Sequence, residues 1–414
     1  MISTLKLAAR NLLRYRRRTL LTALLIMLGV MALLLFVAAA GSFKQTMIGS
    51  ITDSMLGHLQ IHRKGYTASI DNLPLNMSLQ PNAVSKIENV LKSDPDVAAY
   101  SLRVKVGAMF SNFTENTSIR LNGVDPAAED AALPALRQRI NEGDKTGPLV
   151  APGKVLIPTL LARGMKVKVG DEVVLVVTNA SGSVNGKTFT VGGILDPITG
   201  PGGRDGYVHI SDARELIRMD KTEVMEIAVR LKSIDTLTAV QQRLAIKLDE
   251  IQNKEGKPVI ELHSWSDLSP FANIVRMIDL MTLFIRIMLV AIVLVSVMNV
   301  MLMAVYERIR EIGTLAAIGT QPRKLMAIFL SEGLLLGLVG AAAGIALSYA
   351  LVGYLNVSPL VFKFGREEIT LYPHLETVEV FGVLGLAILV SALASLQPAW
   401  RAARMDPIQA LRHV

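Results

Sequence analysis

Leu20-Leu-Thr-Ala-Leu-Leu-Ile-Met-Leu-Gly-Val-Met-Ala-Leu-Leu-Leu-Phe-Val-Ala-Ala-Ala-Gly-Ser-Phe43 runs for 24 residues without a charge. As a helix it rises about 36 Å, enough to cross the ~30 Å hydrocarbon layer of a bilayer. Three further apolar stretches of comparable length lie near 281–305, 326–353 and 379–397. Across the 414 residues 51% are hydrophobic and 19% charged, with a mean hydropathy of +0.42, a balance that fits a chain partly solvated by lipid. A wholly soluble enzyme is excluded by these stretches, and four transmembrane helices are predicted.

The first stretch follows basic residues and ends in small ones, Ala38 to Gly41, as a secretory signal does. A cleavable signal has an apolar core of only about 7–15 residues, so this one reads as a retained anchor.

The formal net charge of +8 is unevenly placed. Segments 1–19, 306–325 and 398–414 hold 13 basic residues against Glu307, Glu311 and Asp406, which leaves the rest of the chain with 30 basic and 32 acidic residues. Such a bias encodes topology and needs no nucleic acid to explain it. It places the amphipathic N-terminal segment 1–19, the loop 306–325 and the tail 398–414 in the cytoplasm, with 44–277 and the short loop 354–378 outside. The spans between them are 20–43, 278–305, 326–353 and 379–397. The chain contains no cysteine, so the outer segment needs no disulfide and zinc sites built on Cys pairs are excluded.

Segment 44–277 is rich in Gly, Pro, Asn, Asp and β-branched residues, and its alternations predict a large α+β domain inserted between the first two spans. A strand near 58–62, a helix near 81–92 and a strand near 96–110 precede its middle. A strand near 224–231, a helix near 235–251 and a strand near 258–263 follow, and the two units are expected to share a sheet. The middle, about 111–223, reads as an inserted β lobe, with a turn at Gly170-Asp171, a buried strand at Val173–Val177, a hairpin turn at Asn185-Gly186 and a mobile loop from Pro197 to Gly203.

Gly182-Ser-Val-Asn-Gly-Lys-Thr188 is one residue short of a phosphate-binding loop and sits in a predicted hairpin, and Gly153-Lys154 is followed by Val155 in place of a hydroxyl residue. Neither makes an ATP site. His58 and His62 share one side of a strand, but Leu59 and Ile61 between them indicate an ordinary strand with one polar side, not a metal site. No catalytic constellation, metal site or cofactor site emerges, and the chain reads as a non-enzymatic membrane subunit.

Within 306–325, Val305, Ile309, Ile312 and Ala316 fall on one helical face and Glu307, Arg308, Arg310 and Glu311 on the other. Gly313 and Gly319 punctuate this amphipathic helix and Pro322 ends it, before Arg323 and Lys324 lead into the third span. A fixed array of mixed charges favours a protein partner over anionic lipid, which would select basic residues alone. Arg286 and Glu332 lie near opposite membrane faces, where each is expected to snorkel to water or headgroups. Asn299 is mid-membrane and is expected to hydrogen-bond another helix for ~1 kcal/mol. Gly333, Gly337, Gly340 and Gly344 leave one side of the third span nearly bare, suited to close packing either within the chain or between subunits.

Tyr306-Glu-Arg-Ile-Arg-Glu-Ile-Gly-Thr-Leu-Ala-Ala-Ile-Gly319 and Gln397-Pro-Ala-Trp-Arg-Ala-Ala-Arg-Met-Asp-Pro-Ile-Gln-Ala-Leu-Arg412 resemble signatures of the MacB/FtsX-like permease family, membrane subunits of ABC transporters that include the lipoprotein-releasing LolC and LolE proteins. Arg10-Asn-Leu-Leu-Arg14 with Arg16–Thr19, and Gly164-Met-Lys-Val-Lys-Val-Gly-Asp-Glu172, are similar to the family's entry into span one and to a motif of its periplasmic domain. The resemblance implies a chain in the bacterial inner membrane that docks on a separate ATPase dimer, which binds ATP and Mg, and works beside a second permease subunit. It implies ATPase-coupling roles for Glu307, Arg308, Arg310, Glu311, Gly313, Gly319 and Arg323. A secondary cytoplasmic surface would include Pro398, Arg401, Arg404, Pro407 and Leu411. The ATPase domain that MacB carries is not found in these residues, which favours the LolC/LolE layout and a lipoprotein or other lipophilic cargo. Efflux of peptides or macrolide-like compounds, and an FtsX-like relay to a cell-wall hydrolase, are the alternatives.

Overall fold

A computed structural model describes residues 2–14, 16–196, 201–219, 222–358, 360–364 and 367–406. It divides into two compact units. One comprises 1–45, 275–363 and 368–414; the other comprises 46–274 with 364–367.

The first unit is built on helices Arg16–Ile51, Phe271–Glu307, Pro322–Val357 and Thr377–Ala403, hereafter spans 1 to 4, each long and apolar enough to cross a membrane. All four helices outrun the apolar stretches read from sequence. Their shared core takes Ile26, Val30, Leu33 and Leu34 from span 1, Leu289, Val293, Val297 and Met301 from span 2, Ala341 from span 3, and Val383, Ala387, Val390 and Ala394 from span 4. Such spacings of three and four put each set on one helical face.

The glycines of span 3 are absorbed inside this chain. A Cβ on Gly333 or Gly337 would collide with Ser395 or Ser391 of span 4, and one on Gly340 or Gly344 would collide with Ile26 or with Met27 and Val30 of span 1. Span 3 is therefore the spine against which spans 1 and 4 pack, at backbone distance. Asn299 differs from expectation: it is exposed on span 2, and no described residue hydrogen-bonds it. The reason is helical phase, since Asn299 lies about 200° around the helix from buried Val297.

Arg286 does not snorkel. It pairs with Glu379 at the start of span 4, 2.5 Å away, while Lys44 of span 1 reaches Asp279 of span 2 at 2.8 Å.

The second unit holds a ten-stranded sheet: β1 (Leu59–Arg63), β2 (Val97–Ser111), β3 (Asn116–Val124), β4 (Ile140–Gly143), β5 (Lys154–Pro158), β6 (Glu172–Thr178), β7 (Val184–Leu195), β8 (Asp205–His209), β9 (Glu226–Leu231) and β10 (Ile260–Ser264). Its order is β10-β1-β9-β2-β3-β8-β5-β7-β4, with β6 pairing β2 and β7. Strands from both flanks share it: β9 inserts between β1 and β2, and β10 lies beside β1. Helices Pro81–Ser93 and Leu237–Asp249 cover that part with Val84, Ile87, Leu91, Val240, Leu244 and Leu248.

The inserted lobe is continuous with the rest. β2 is 15 residues long; its first half pairs β9 and its second half pairs β3, so one strand runs through two cores. Asn185-Gly186 is not a turn. Both residues lie in β7, opposite Val177 and Val176, and the reversal comes earlier, where the Asn179 carboxamide accepts from the amides of Ser181 and Ser183 and Gly182 takes φ +84°. Gly170 does turn, with φ +97°. Of the expected mobile loop, 197–200 lie outside the described residues and Pro201–Arg204 form a short 3-10 turn. The loop expected between spans 3 and 4 contains a two-stranded sheet, Leu360–Phe364 with Glu367–Leu371.

Gly344→Ala would place a methyl 2.7 Å from the Met27 carbonyl oxygen, a backbone atom that cannot rotate away. It is expected to lower stability by about 1–3 kcal/mol, read as a lower thermal midpoint in detergent, whereas Gly353→Ala, with nothing within 4 Å, should leave it unchanged.

Candidate functional site

Span 2 ends at Glu307, and Arg308 leaves the helical region at φ −112°, ψ 19° before a new helix runs from Ile309 to Ala317. The break resets the helical phase. For that reason Arg308 does not join the polar outer face expected of it but turns inward, 5% exposed, and its Nη1 donates to Glu332 Oε1 at 3.0 Å. Glu332, which sequence position made a snorkelling residue, is 2% exposed in span 3 and also accepts from Asn11 Nδ2 of the N-terminal helix Ile2–Arg14 at 2.7 Å. Glu311 lies 3.7 Å from the Arg308 guanidinium and 3.3 Å from that of Arg14. Three segments far apart in sequence are tied at one ionic node, which brings together Arg308 and Glu311 of the expected coupling residues.

The inner face of the short helix is apolar. Ile312 packs with Val305, Leu325, Phe329, Ala399 and Ala402 from spans 2, 3 and 4. Gly313 is buried, so within this chain it is not an exposed contact. Gly319 is exposed with φ +89° and makes the left-handed turn that lets the chain reverse; Pro322 then opens span 3 at its first turn instead of closing the preceding helix. Glu307, Arg310, Glu311 and Arg323 are exposed.

Sequence reading missed the apolar part of the outer face: Leu315 is 38% and Ile318 74% exposed beside Arg310 and Glu311. On the tail, Pro398 is buried within span 4 and so is no surface residue, because it faces the same core as Ala399 and Ala402. Arg401 and Arg404 are exposed, the latter stacked 4.4 Å over Trp400; Pro407 and Leu411 lie outside the described residues.

A second polar cluster lies in the α+β unit, where sequence reading gave no site. Arg103 of β2, fully buried, donates to Glu226 Oε1 at 2.7 Å and faces Glu129 at 2.8 Å; Lys105 Nζ is 2.6 Å and His62 Nε2 3.2 Å from Glu226 Oε2. Burial by itself raises the Glu226 carboxyl, but Lys105, His62 and Arg103 outweigh it and hold the group well below the usual 4.5. The signal that could have found this cluster is Arg103-Val-Lys105 inside an apolar strand.

The cluster grips the end of the span-1 helix, whose last turn, Thr52–Leu56, widens to a π-helix. Arg103 Nη1 donates to the Met55 carbonyl at 3.0 Å, the Ala135 amide to the Asp53 carbonyl at 2.9 Å, and the Asp53 carboxylate pairs with Arg230 at 3.2 Å. His58, placed on the same side of a strand as His62 by the sequence, precedes β1 and accepts from the Leu231 amide through Nδ1 at 3.0 Å, and burial holds its imidazole below the usual 6.5. The two rings face different partners, and among the described residues no three His, Cys, Asp or Glu side chains group as metal ligands.

Four membrane-spanning helices with an α+β domain inserted between the first two define a multi-pass membrane protein of one-plus-three layout. The MacB-like periplasmic core domain matches residues 19–246, more than half of the chain, and the FtsX-like permease C-terminal family matches 283–407. The chain belongs to the FtsX-like permeases that carry a MacB-like periplasmic core domain, non-catalytic transmembrane subunits whose family implies a partner ATPase.

It is similar to the lipoprotein-releasing system transmembrane protein LolC of Xylella fastidiosa (strain 9a5c), at 25% identity over 78% of this chain and 79% of that protein. It is also similar to the pyoverdine export ATP-binding/permease protein PvdT of Pseudomonas fluorescens (strain Pf0-1), at 28% identity over 59% of this chain; the match spans only 36% of PvdT. Among solved structures it resembles the periplasmic region of MacB from Actinobacillus actinomycetemcomitans, with a TM-score of 0.38 and 13% identity over 55% of this chain and 98% of that one.

Glu332→Leu leaves the Arg308 guanidinium buried without this carboxylate and is expected to cost about 3–5 kcal/mol, while adding Arg308→Met recovers most of it; thermal unfolding of the original chain, the two single variants and the double measures both. In the α+β unit, the depressed Glu226 carboxyl contributes stability that is complete above about pH 4.5 and is lost as pH falls through its lower folded-state value. Melting midpoints of the full chain between pH 7 and pH 3 should fall on the acid side, and Glu226→Gln should lower the neutral-pH midpoint and flatten that fall.

Proposed function

We propose that this chain is the permease subunit of an ABC transporter in which a separate ATPase dimer, binding ATP and Mg, drives conformational change in the periplasmic domain. Both termini are cytoplasmic, a second permease subunit completes the membrane part, and the complex resides in the bacterial inner membrane. One observation carries this reading: the helix Ile309–Ala317 has an inner face fixed to spans 2, 3 and 4, and its outer face with the capping residue after it presents Arg310, Glu311, Leu315 and Ile318 together. Charges that select a partner, flanking apolar side chains that a partner desolvates, are the makings of a protein interface.

Force applied to that face passes through Arg308 to Glu332 on span 3 and Asn11 on the N-terminal helix. Span 3 touches spans 1 and 4 at backbone distance, so neither can lag behind it. The span-1 helix continues to Ile51, and the turn that follows it is held within the α+β unit by Arg103 and Arg230.

The cargo reading is release of lipoproteins from the membrane, supported by the similarity to LolC over most of both chains. A second reading, export of a small secreted compound, is supported by the similarity to the pyoverdine export protein PvdT.

Ile318→Asp and Glu311→Lys are the test of docking. Each is expected to reduce ATPase co-purification at least tenfold; Ile318→Asp should retain the melting midpoint, whereas Glu311→Lys also sets a lysine beside Arg14 and Arg308 and should lower it, and undiminished co-purification in both would remove the docking role of this helix.

A further inference from the structure

We propose that His58 is an acid-operated release at the root of the α+β unit, where the chain enters from span 1 and leaves toward span 2. The inference goes beyond the transport reading, stands on contacts within one unit, and holds whichever cargo is carried.

Three segments meet at this residue. Its amide donates to the Val229 carbonyl at 2.9 Å, its carbonyl accepts from the Trp265 amide at 3.1 Å, and its Nδ1 accepts from the Leu231 amide at 3.0 Å. Gly57 before it, at φ +75°, donates to the Thr52 carbonyl and so closes the widened turn Thr52–Leu56, with which His58 is directly continuous. Trp265 opens the short helix Trp265–Leu268, and span 2 begins at Phe271. The imidazole therefore pins the end of β9 to the place where both membrane-bound connections join the sheet. The turn allows no substitute for that pin, since even a Cβ on Gly57 would lie 3.0 Å from the Val229 carbonyl oxygen.

A ring nitrogen that accepts from an amide carries no proton, so the proton of the neutral ring sits on Nε2, 3.9 Å from the Asp53 carboxylate. A second proton can go only to Nδ1, where it meets the Leu231 N–H as donor against donor and the bond is lost. His58 and Leu231 are both buried, so water does not take over the freed amide. Burial is the largest influence on the ring and holds it below the usual 6.5; Asp53 of the turn favours the proton and Arg230 of β9 opposes it, while the two pair with each other at 3.2 Å. Of the neighbouring titratable groups, Asp267 accepts from the Ser264 amide and hydroxyl, and His263 faces Glu261 and Thr67. Because the folded-state value lies below the unfolded one, the stabilisation is complete above about pH 6.5 and is lost as pH falls through the folded-state value. In the proposed orientation the α+β unit faces the outside of the cell, where acid surroundings reach this ring before they reach the depressed Glu226 carboxyl.

Hydrogen exchange of the full chain in detergent, read by mass spectrometry at about pH 7.5 and about pH 5.5 and corrected for the intrinsic rate at each pH, tests the release. Segments 52–58 and 229–232 are expected to open up to about tenfold more readily at the lower pH, the most that one proton bound at 6.5 in the open state supplies. The inserted lobe should keep its protection. His58→Asn sets a carboxamide oxygen where Nδ1 accepts and cannot titrate, so it should hold the protection seen at neutral pH and abolish the acid response. No response in the original chain, a response spread evenly over the α+β unit, or the same response in His58→Asn overturns the proposal. If His58→Asn proves unstable at neutral pH, the presence or absence of a local response in the original chain still decides. Co-purification of the ATPase reports on the transport reading separately, since docking on the helix Ile309–Ala317 does not involve His58.

Discussion

A carboxylate inside a membrane protein survives only if its charge is answered, and Glu332 is answered by Arg308 and Asn11. That requirement shapes everything at this end of the bundle. Arg308 can reach inward because span 2 stops at Glu307, and the stop lets the short helix leave at a new angle with its apolar side on spans 3 and 4. The outward array of Arg310, Glu311, Leu315 and Ile318 is thus a consequence of the inward pair. Because three segments meet at one carboxylate, movement of any one of them disturbs the others.

The α+β unit uses the same chemistry for a different end. Arg103 joins Glu226 of the sheet to Glu129 of the short helix Pro126–Ala132 and also holds the Met55 carbonyl, one of the groups that a widened helical turn leaves open. An ion cluster of this kind is a costly way to stabilise a core, since well-packed apolar residues serve as well. It is a good way to hold a helix end at one angle, because a guanidinium fixes the direction of each of its bonds.

Much of this was legible from residue patterns. Apolar length revealed the spans, and strand–helix–strand periodicity on both flanks of 44–277 anticipated a sheet shared between them. Turn chemistry misled at Asn185-Gly186, because the carboxamide loop of Asn179 has already reversed the chain before Val184 opens β7. A helical wheel drawn from Val305 to Ala316 assumes one unbroken helix, so the reset at Arg308 was invisible to it and Arg308 was set on the wrong face. The glycines of span 3 announced close packing without saying against what, because a bare face is equally suited to a helix of the same chain or of another. Arg103, Glu129 and Glu226 are too far apart in sequence for spacing to join them, and the pairing of β2 with β9 is what sets Arg103 beside Glu226.

The position of β9 between β1 and β2 has a consequence for biogenesis. Residues 59–111 emerge from the ribosome long before residue 226, so two strands wait with open edges while the whole inserted lobe is made. An open edge is a template for mispairing, and the interval falls while the segment is being exported. The inserted lobe can close on its own contacts in that time, whereas the flanking part is completed only when a late strand slots into a gap already prepared for it.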